Sequence, residues 1–348
     1  MKKRRTSKAI SIGDVTVGGG ATIVVQSMTK TKTADVAATV AQINELADYG
    51  CELARVAVPD AEAAAALPAI KKGISIPLIA DIHFDYRLAL AALEAGIDGL
   101  RLNPGNIGET EKVKKVALAA KERGVPIRIG VNAGSLPGDL NPRHSVARRM
   151  VEAAMRQIRL LESLDFDLIK LSLKAFDVPT TIDAYRRIAR MTDYPLHIGI
   201  TEAGTPRAGI IRSAVGIGNL LYMGIGDTIR VSLTAHPREE VVAAYEILKS
   251  LNLRQRGPVL VSCPACSRAD VDIVSLAQAI ETELARVDKA ITVAVMGCAV
   301  NGPGEAKEAD IGIACGRGTA VLFRKGRKIG VVEEKDFISV LMREVEGF

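Results

Sequence analysis

The sequence predicts an α/β chain in which a closed (β/α)8 TIM barrel is followed by a small α+β domain. Its 348 residues suit about two domains. From about residue 22 to about residue 250, short β-branched runs alternate with amphipathic stretches, the pattern of a parallel sheet with crossover helices. Eight such units occur, and a closed barrel of eight takes ~250 residues, so count and length agree.

The elements follow in order. The run Lys2-Lys3-Arg4-Arg5 reads as a solvated tail. Ala9–Val17 is strand-like with a turn at Gly13-Asp14, an N-terminal hairpin and not the apolar core of an export signal. The barrel strands are expected at Ile23–Gln26, Leu53–Val58, Leu78–Ile82, Gly99–Asn103, Ile127–Val131, Leu168–Leu173, Leu196–Ile200 and Thr228–Leu233. After the first, Val36, Val40, Ile43, Leu46 and Ala47 fall on one helix face. The polar stretch Asn252 to Pro258 breaks the pattern and reads as the linker, giving domains 1–252 and 253–348. The second domain is expected to run through strand Val259–Val261, a helix near Val271–Ala285, strands Thr292–Met296 and Asp310–Ile313, a hairpin around Lys325 to Lys328, and a closing helix Lys335–Glu344. An open doubly wound sheet is the runner-up for the first domain, but no Gly-x-Gly-x-x-Gly follows the first strand.

Composition narrows the function. No run approaches the ~18 apolar residues of a membrane span. Five cysteines are too few for a disulfide framework, and three of them cluster late in the chain, which favours a reducing, cytoplasmic setting and a metal or redox site. The net charge of +6 and pI near 9.0 come with no Trp and 3% aromatics, which suits a small anion better than stacked nucleic-acid bases.

Barrel interiors are normally filled with branched apolar side chains. Here alternate residues on one face read Arg101 with Asn103, Arg128 with Gly130 and Asn132, Lys170 with Ser172, and Arg230 with Ser232, and Arg55 joins from the second strand. Five buried cations facing mainly Asp81 and Glu202 call for an anion, and a diphosphate suits Arg forks. At roughly 1.5–3 kcal/mol per charge-assisted bond, four or five contacts suffice for a micromolar ligand, which needs about 8 kcal/mol. Asp81, His83 and Glu202 end their strands and are candidate acid–base groups. His83 serves equally as a structural hydrogen-bonding residue, His144 and His236 read as surface residues, and His197 reads as core.

The strongest local signal is Cys263-Pro264-Ala265-Cys266 with Cys298 in Met296-Gly297-Cys298-Ala299-Val300-Asn301-Gly302-Pro303-Gly304-Glu305. Each motif follows a strand, so three thiols can meet at strand ends. An iron–sulfur cluster, a structural zinc and a thiol–disulfide site all remain open, and the fourth ligand decides among them. Cys315 is the thiol candidate for that place. The turn at Gly302-Pro303-Gly304 makes Glu305 the carboxylate candidate. Cys51 reads as an inert packed thiol.

With Val25-Gln26-Ser27-Met28-Thr29, Asp81-Ile82-His83-Phe84, Arg101 through Gly108, Gly130 through Leu136, Ile200-Thr201-Glu202-Ala203-Gly204 and both cysteine motifs, the chain resembles, nearly end to end, the 4-hydroxy-3-methylbut-2-enyl diphosphate synthases of the non-mevalonate isoprenoid pathway. The resemblance implies reductive ring opening and dehydroxylation of 2-C-methyl-D-erythritol 2,4-cyclodiphosphate, with two electrons from reduced ferredoxin or flavodoxin. It implies a [4Fe–4S] cluster on Cys263, Cys266, Cys298 and Glu305. It assigns diphosphate binding to Arg55, Arg101, Arg128, Lys170 and Arg230, with Asn132 and Ser232, and a proton-donor role to Glu202. It also implies a head-to-tail homodimer. A zinc-stabilised barrel transferase acting on a phosphorylated or pterin substrate is the alternative. The chain lacks the large insertion of plant-type relatives, and it departs from the family at Cys315, where Gly is usual, and at His236, where an acid is expected.

Overall fold

The structure is a computed structural model that describes residues 1–83, 85–102, 110–298, 304 and 308–348. Two compact units divide it, Met1–Arg254 and Gln255–Phe348.

In the first unit a short hairpin, β1 (Ile10–Ile12) and β2 (Val15–Val17), precedes eight parallel strands: β3 (Val24–Met28), β4 (Leu53–Ala57), β5 (Leu78–Ile82), β6 (Gly99–Leu102), β7 (Ile127–Asn132), β8 (Ile169–Lys174), β9 (His197–Ile198) and β10 (Thr228–Ile229). Their order around the sheet is β8-β7-β6-β5-β4-β3-β10-β9, and a parallel bridge from Leu171 to Leu196 joins β8 to the segment entering β9. The sheet therefore closes into the expected barrel, and the doubly wound alternative falls. β9 and β10 are shorter than their sequence runs. At Gly199, just past β9, the backbone passes so close to the Arg230 carbonyl that a Cβ would stand 2.4 Å from that oxygen. Asn103, expected to end β6, lies outside the described residues.

Between the strands run α1 (Val36–Asp48), α2 (Ala61–Lys72), α3 (Tyr86–Glu94), α4 (Thr110–Glu122), α5 (Val146–Ser163), α6 (Val178–Ile188), α7 (Pro206–Tyr222) and α8 (Pro237–Ser250). Short polar residues start them. Asp35, Asp60, Asp85, Ser145 and Asp177 each accept a bond from an orphan amide of the first turn, while Pro206 and Pro237 open α7 and α8, where a missing N–H costs nothing. The apolar core lies between the outer faces of the strands and these helices. Ile43, Leu46, Leu67 and Ile70 are fully buried there, each stabilising the packing by roughly 1.5–3 kcal/mol.

The lower end of the barrel is plugged. Ile10, Ile12 and Val17 of the hairpin pack with Val24, Leu53 and Ile79. The basic N-terminal run is no solvated tail. The amides of Lys2 and Arg5 donate to the carbonyls of Tyr222 and Gly224, and the guanidinium groups of Arg4 and Arg5 reach Asp227 at 3.4 and 3.7 Å. A buried carboxylate below the barrel requires these cations.

The second unit is a five-stranded mixed sheet in sequential order, β11 (Val259–Ser262), β12 (Thr292–Met296), β13 (Ile311–Cys315), β14 (Thr319–Arg324) and β15 (Arg327–Glu333). The first three strands are parallel and the last two are antiparallel additions. The tight turn between β14 and β15 has Lys325 and Gly326 at φ 47° and 73°, the left-handed pair a two-residue hairpin needs. Helices α9 (Ile273–Leu284) and α10 (Phe337–Glu346) supply Ile280, Leu284, Phe337 and Leu341 to a core shared with Val293, Ile311 and Ile313.

Candidate active site

The barrel interior carries charge at the level where such folds usually hold Val or Leu. Strand register places Asp81 beside Arg101, Arg101 beside Arg128, and Arg128 beside Lys170, a row of ionisable side chains across four adjacent strands. All four are buried, as is Arg55 on β4. Asp81 holds the row from one end: Arg101 Nη1 donates to its Oδ1 at 2.9 Å, and Arg55 Nε lies 3.5 Å from its Oδ2. Burial alone would raise the Asp81 pKa, but Arg55, Arg101 and Arg128 outweigh it and leave the carboxyl below its ordinary range. His83, at the rim, has Nε2 3.1 Å from Arg101 Nη1.

Cations of the row keep buried donors without a partner among the described residues: Arg101 at Nε, and Arg128 and Lys170 more severely. Arg128 donates from Nη1 to Ser172 Oγ at 2.8 Å, yet its Nε and Nη2 have no hydrogen-bond partner among the described residues. Lys170 Nζ has none either, nor has either amide atom of the buried Gln26 on β3. Burial pushes both cations well below their ordinary pKa ranges, and the neighbouring charges push the same way: Arg55 and Arg101 on Arg128, Arg128 and Arg55 on Lys170. Orphaned donors of this kind fit an anionic ligand.

The structure adds residues the sequence reading passed over. Lys174 ends β8 on the same face as Lys170 and Ser172, in register with Asn132 of β7, four residues nearer the mouth than Lys170. It is buried, and its Nζ lies 3.3 Å from Nε2 of His197. His197 is interior, not core: its Nδ1 lies 2.7 Å from Thr228 Oγ1. Glu240, from the first turns of α8, is buried behind β10. It accepts from the Leu233 amide and Ser27 Oγ, and it pairs with Arg230 at 3.4 Å and Lys30 at 3.3 Å. Its position in Pro237-Arg238-Glu239-Glu240 looks like an ordinary acidic helix start, so sequence gave no warning.

Glycines make the room. A Cβ on Gly130 would stand 2.7 Å from Arg101 Nε, and one on Gly199 would stand 2.8 Å from Lys174 Nζ. Asn132 is half-buried at the end of β7, and Ser232 is half-buried three residues past β10. Glu202 follows β9, exposed at the mouth, with φ 54°. For a side chain with a Cβ that backbone costs roughly 1–2 kcal/mol. Neighbouring bonds, Thr201 N to the Ala175 carbonyl and Arg212 Nη1 to the Ala203 carbonyl, hold the loop. His236 begins α8, exposed, 3.6 Å from Glu45.

In the second unit the cysteines follow neighbouring parallel strands. Cys263 succeeds β11 and Cys298 lies two residues beyond β12, with Ser262 in register with Val295. The Gly297 amide donates to Cys263 Sγ at 3.1 Å. Cys266 is exposed; bonds from the backbone and side chain of Arg268 draw its thiol below the ordinary range. Backbone donors to sulfur and a thiol disposed to ionise suit a thiolate-held metal or iron–sulfur group. Glu305, the expected fourth ligand, lies outside the described residues, as do Phe84 and the stretch 103–109. Cys315 is buried in the core at the end of β13, where burial first, and the neighbouring Cys263 second, push its thiol up to about 12. Cys51 is likewise buried, its thiol raised by burial to about 12.

Fold and site together define a class: a TIM-barrel protein with a cation-rich interior, carrying a second unit in which Cys263 and Cys298 follow neighbouring parallel strands, although among the described residues no three His, Cys, Asp or Glu side chains come together as a metal site. Its GcpE TIM-barrel domain spans residues 7–245 and its GcpE protein C-terminal domain residues 259–347. The chain belongs to the GcpE family. It is 67% identical over 345 residues, 99% of each chain, to a 4-hydroxy-3-methylbut-2-en-1-yl diphosphate synthase (flavodoxin) of Dehalococcoides mccartyi. It is 59% identical over 342 residues, 98% of this chain and 97% of the relative, to a protein of the same name from Geobacter sulfurreducens. Among solved structures, the 7,8-dihydropteroate synthase of Vibrio fischeri matches 72% of this chain and all of its own, with a TM-score of 0.51 at 13% identity. That likeness carries the barrel fold alone, and the zinc-stabilised transferase alternative is not favoured by the full-length relatives.

Proposed function

We propose that the chain is an iron–sulfur oxidoreductase that converts 2-C-methyl-D-erythritol 2,4-cyclodiphosphate to 4-hydroxy-3-methylbut-2-enyl diphosphate, with two electrons from reduced flavodoxin or ferredoxin. Full-length relatives of that name support the reaction. The structural observation that carries the substrate is the row of buried cations with orphaned donors at Arg128 and Lys170. Six interior basic side chains, Arg55, Arg101, Arg128, Lys170, Lys174 and Arg230, face two buried carboxylates, Asp81 and Glu240, a formal excess of four that a cyclic diphosphate dianion halves.

In this reading the arginines and Lys174 hold the diphosphate, with Lys170 beneath them, and Asn132 and Ser232 bond it at the rim. Bidentate guanidinium contacts fix the ring's orientation, which removes much of the entropic barrier to reaction. The ring carbon–oxygen bond breaks so that the diphosphate keeps its oxygen and leaves as a terminal phosphate oxyanion. The departing hydroxyl needs one proton to become water, and Glu202, at the mouth on its strained loop, supplies it. A [4Fe–4S] cluster on Cys263, Cys266, Cys298 and Glu305 would supply the two electrons singly. Among the described residues no helix is long and apolar enough to cross a membrane, and a cytoplasmic, head-to-tail homodimer accompanies the reading.

The test is anaerobic purification with iron, sulfide and zinc quantification, then turnover of the cyclic diphosphate with reduced flavodoxin. Four irons per chain and the linear diphosphate as product are expected. Stoichiometric zinc without iron, and no turnover, would overturn the reading.

A further inference from the structure

Lys174 sits in a setting that an ammonium ion alone does not tolerate. Its one polar partner among the described residues, His197 Nε2 at 3.3 Å, is itself uncharged chemistry: the ring's other nitrogen faces Thr228 Oγ1 at 2.7 Å, and Tyr185 Oη donates to the His197 carbonyl at 2.6 Å. Lys174, His197, Thr228 and Tyr185 are all buried. The charges around Lys174 are Arg128 on β7, Arg230 just past β10, Arg55 on β4 and Arg101 on β6, with Lys170 on its own strand. The two interior carboxylates are engaged elsewhere, Asp81 by Arg101 and Arg55, Glu240 by Arg230, Lys30, Ser27 and the Leu233 amide. Gly199 leaves bare backbone against Nζ.

A guanidinium keeps its proton in such crowding, whereas a buried amine can give it up. The lysines therefore relieve the excess charge. Burial first, and the arginine charges second, push Lys174 well below the ordinary lysine range; burial and the charge of Lys174 push His197 well below that of histidine. An anion laid over Lys174 reverses the balance.

We propose that the barrel captures its substrate together with a proton, taken up by the Lys174–His197 pair as the diphosphate arrives, so that an ammonium ion forms beneath the phosphates only when they are there to pair with it. This deepens the diphosphate reading of the barrel and rests on it. The heat of binding reports on that reading; the proton count reports on this one. The ligand brings no proton of its own, because each phosphorus of the cyclic diphosphate bears a single, strongly acidic oxygen.

Calorimetric titration of the cluster-loaded protein with 2-C-methyl-D-erythritol 2,4-cyclodiphosphate, in buffers of differing ionisation enthalpy near pH ~8.5, about two units below the ordinary lysine range, counts the protons. About one proton per substrate is expected for the wild type. K174R, whose charge is permanent, should bind with no uptake, and K170M should retain the uptake. In the wild type the dissociation constant should rise by up to about tenfold per pH unit through this range, the slope one linked proton gives. No uptake in the wild type, or uptake that survives K174R, would overturn the proposal.

Discussion

Replacing Arg128 with methionine should make the ligand-free protein more stable and its substrate binding weaker. The guanidinium is fully buried, donates one bond to Ser172 Oγ and leaves Nε and Nη2 without partners. Arg128→Met sacrifices that single bond, about 1 kcal/mol, and frees Ser172 to bond water or turn to backbone. In return it removes an incompletely paired charge from a low-dielectric interior crowded by Arg55, Arg101 and Lys170. Hydrophobic replacement of buried charge is often neutral or stabilising by about 1–4 kcal/mol, so a net gain of roughly 1–3 kcal/mol follows. At about 2–4 °C per kcal/mol for a domain of this size, the barrel's melting temperature should rise by roughly 2–12 °C. Binding moves the other way: loss of one charge-assisted bond costs about 1.5–3 kcal/mol, or about ten- to a hundredfold in Kd. Differential scanning calorimetry without ligand and titration calorimetry with the cyclic diphosphate read the two halves. A variant that melts lower and binds as well as the wild type would refute the reasoning, because Arg128 would then be a structural ion and not one held for a ligand.

Three other outcomes follow from the same geometry. Glu202→Gln should retain iron content and substrate affinity while turnover falls at least ~100-fold, since general acid catalysis is worth about that much; loss of the cluster's visible absorption instead would remove Glu202 from the proton-donor role. Gly130→Ala, whose methyl would stand 2.7 Å from Arg101 Nε, should displace that guanidinium from Asp81 and weaken binding about tenfold or more, measured as KM for the cyclic diphosphate; an unchanged KM would mean the arginine yields without cost. The ligand-free protein should gain stability as pH rises from neutrality toward ~10: the folded-state pKa values of Lys170 and Lys174 are depressed, so the unfolded chain binds protons that the folded one rejects. Urea unfolding across that range should show the slope, and Lys170→Met should flatten it; a stability that falls with pH in the wild type would contradict the buried-amine assignment.

The fold was legible because each barrel strand is a short β-branched run bounded by turn residues, and because capping aspartates mark where helices begin. The cations were legible because charge at alternate positions of such runs contradicts an apolar interior. Lys174 escaped only because β8 was expected to end at Leu173; one more step of the alternation from Lys170 through Ser172 reaches it. His197 and Glu240 carry no such signature. A lone histidine in an apolar strand and an acid in a first helical turn are common in ordinary packing, and only tertiary closure turns one toward Lys174 and the other toward Arg230. The basic run at residues 2–5 was misread for the same reason: its partner, Asp227, is more than two hundred residues away.

Among the described residues, the plug made by Ile10, Ile12 and Val17 covers the lower end of the barrel and leaves the upper mouth as its doorway. Reactant and product must use it in turn, since nothing can pass out below while something enters above. A linear diphosphate still resting on the arginines blocks the next molecule, and it gains a terminal phosphate charge in the reaction that formed it. Turnover in such a blind well is paced by how readily the cations release a more negative occupant, and the accumulated product should act as a competitive inhibitor whose grip loosens as salt is raised.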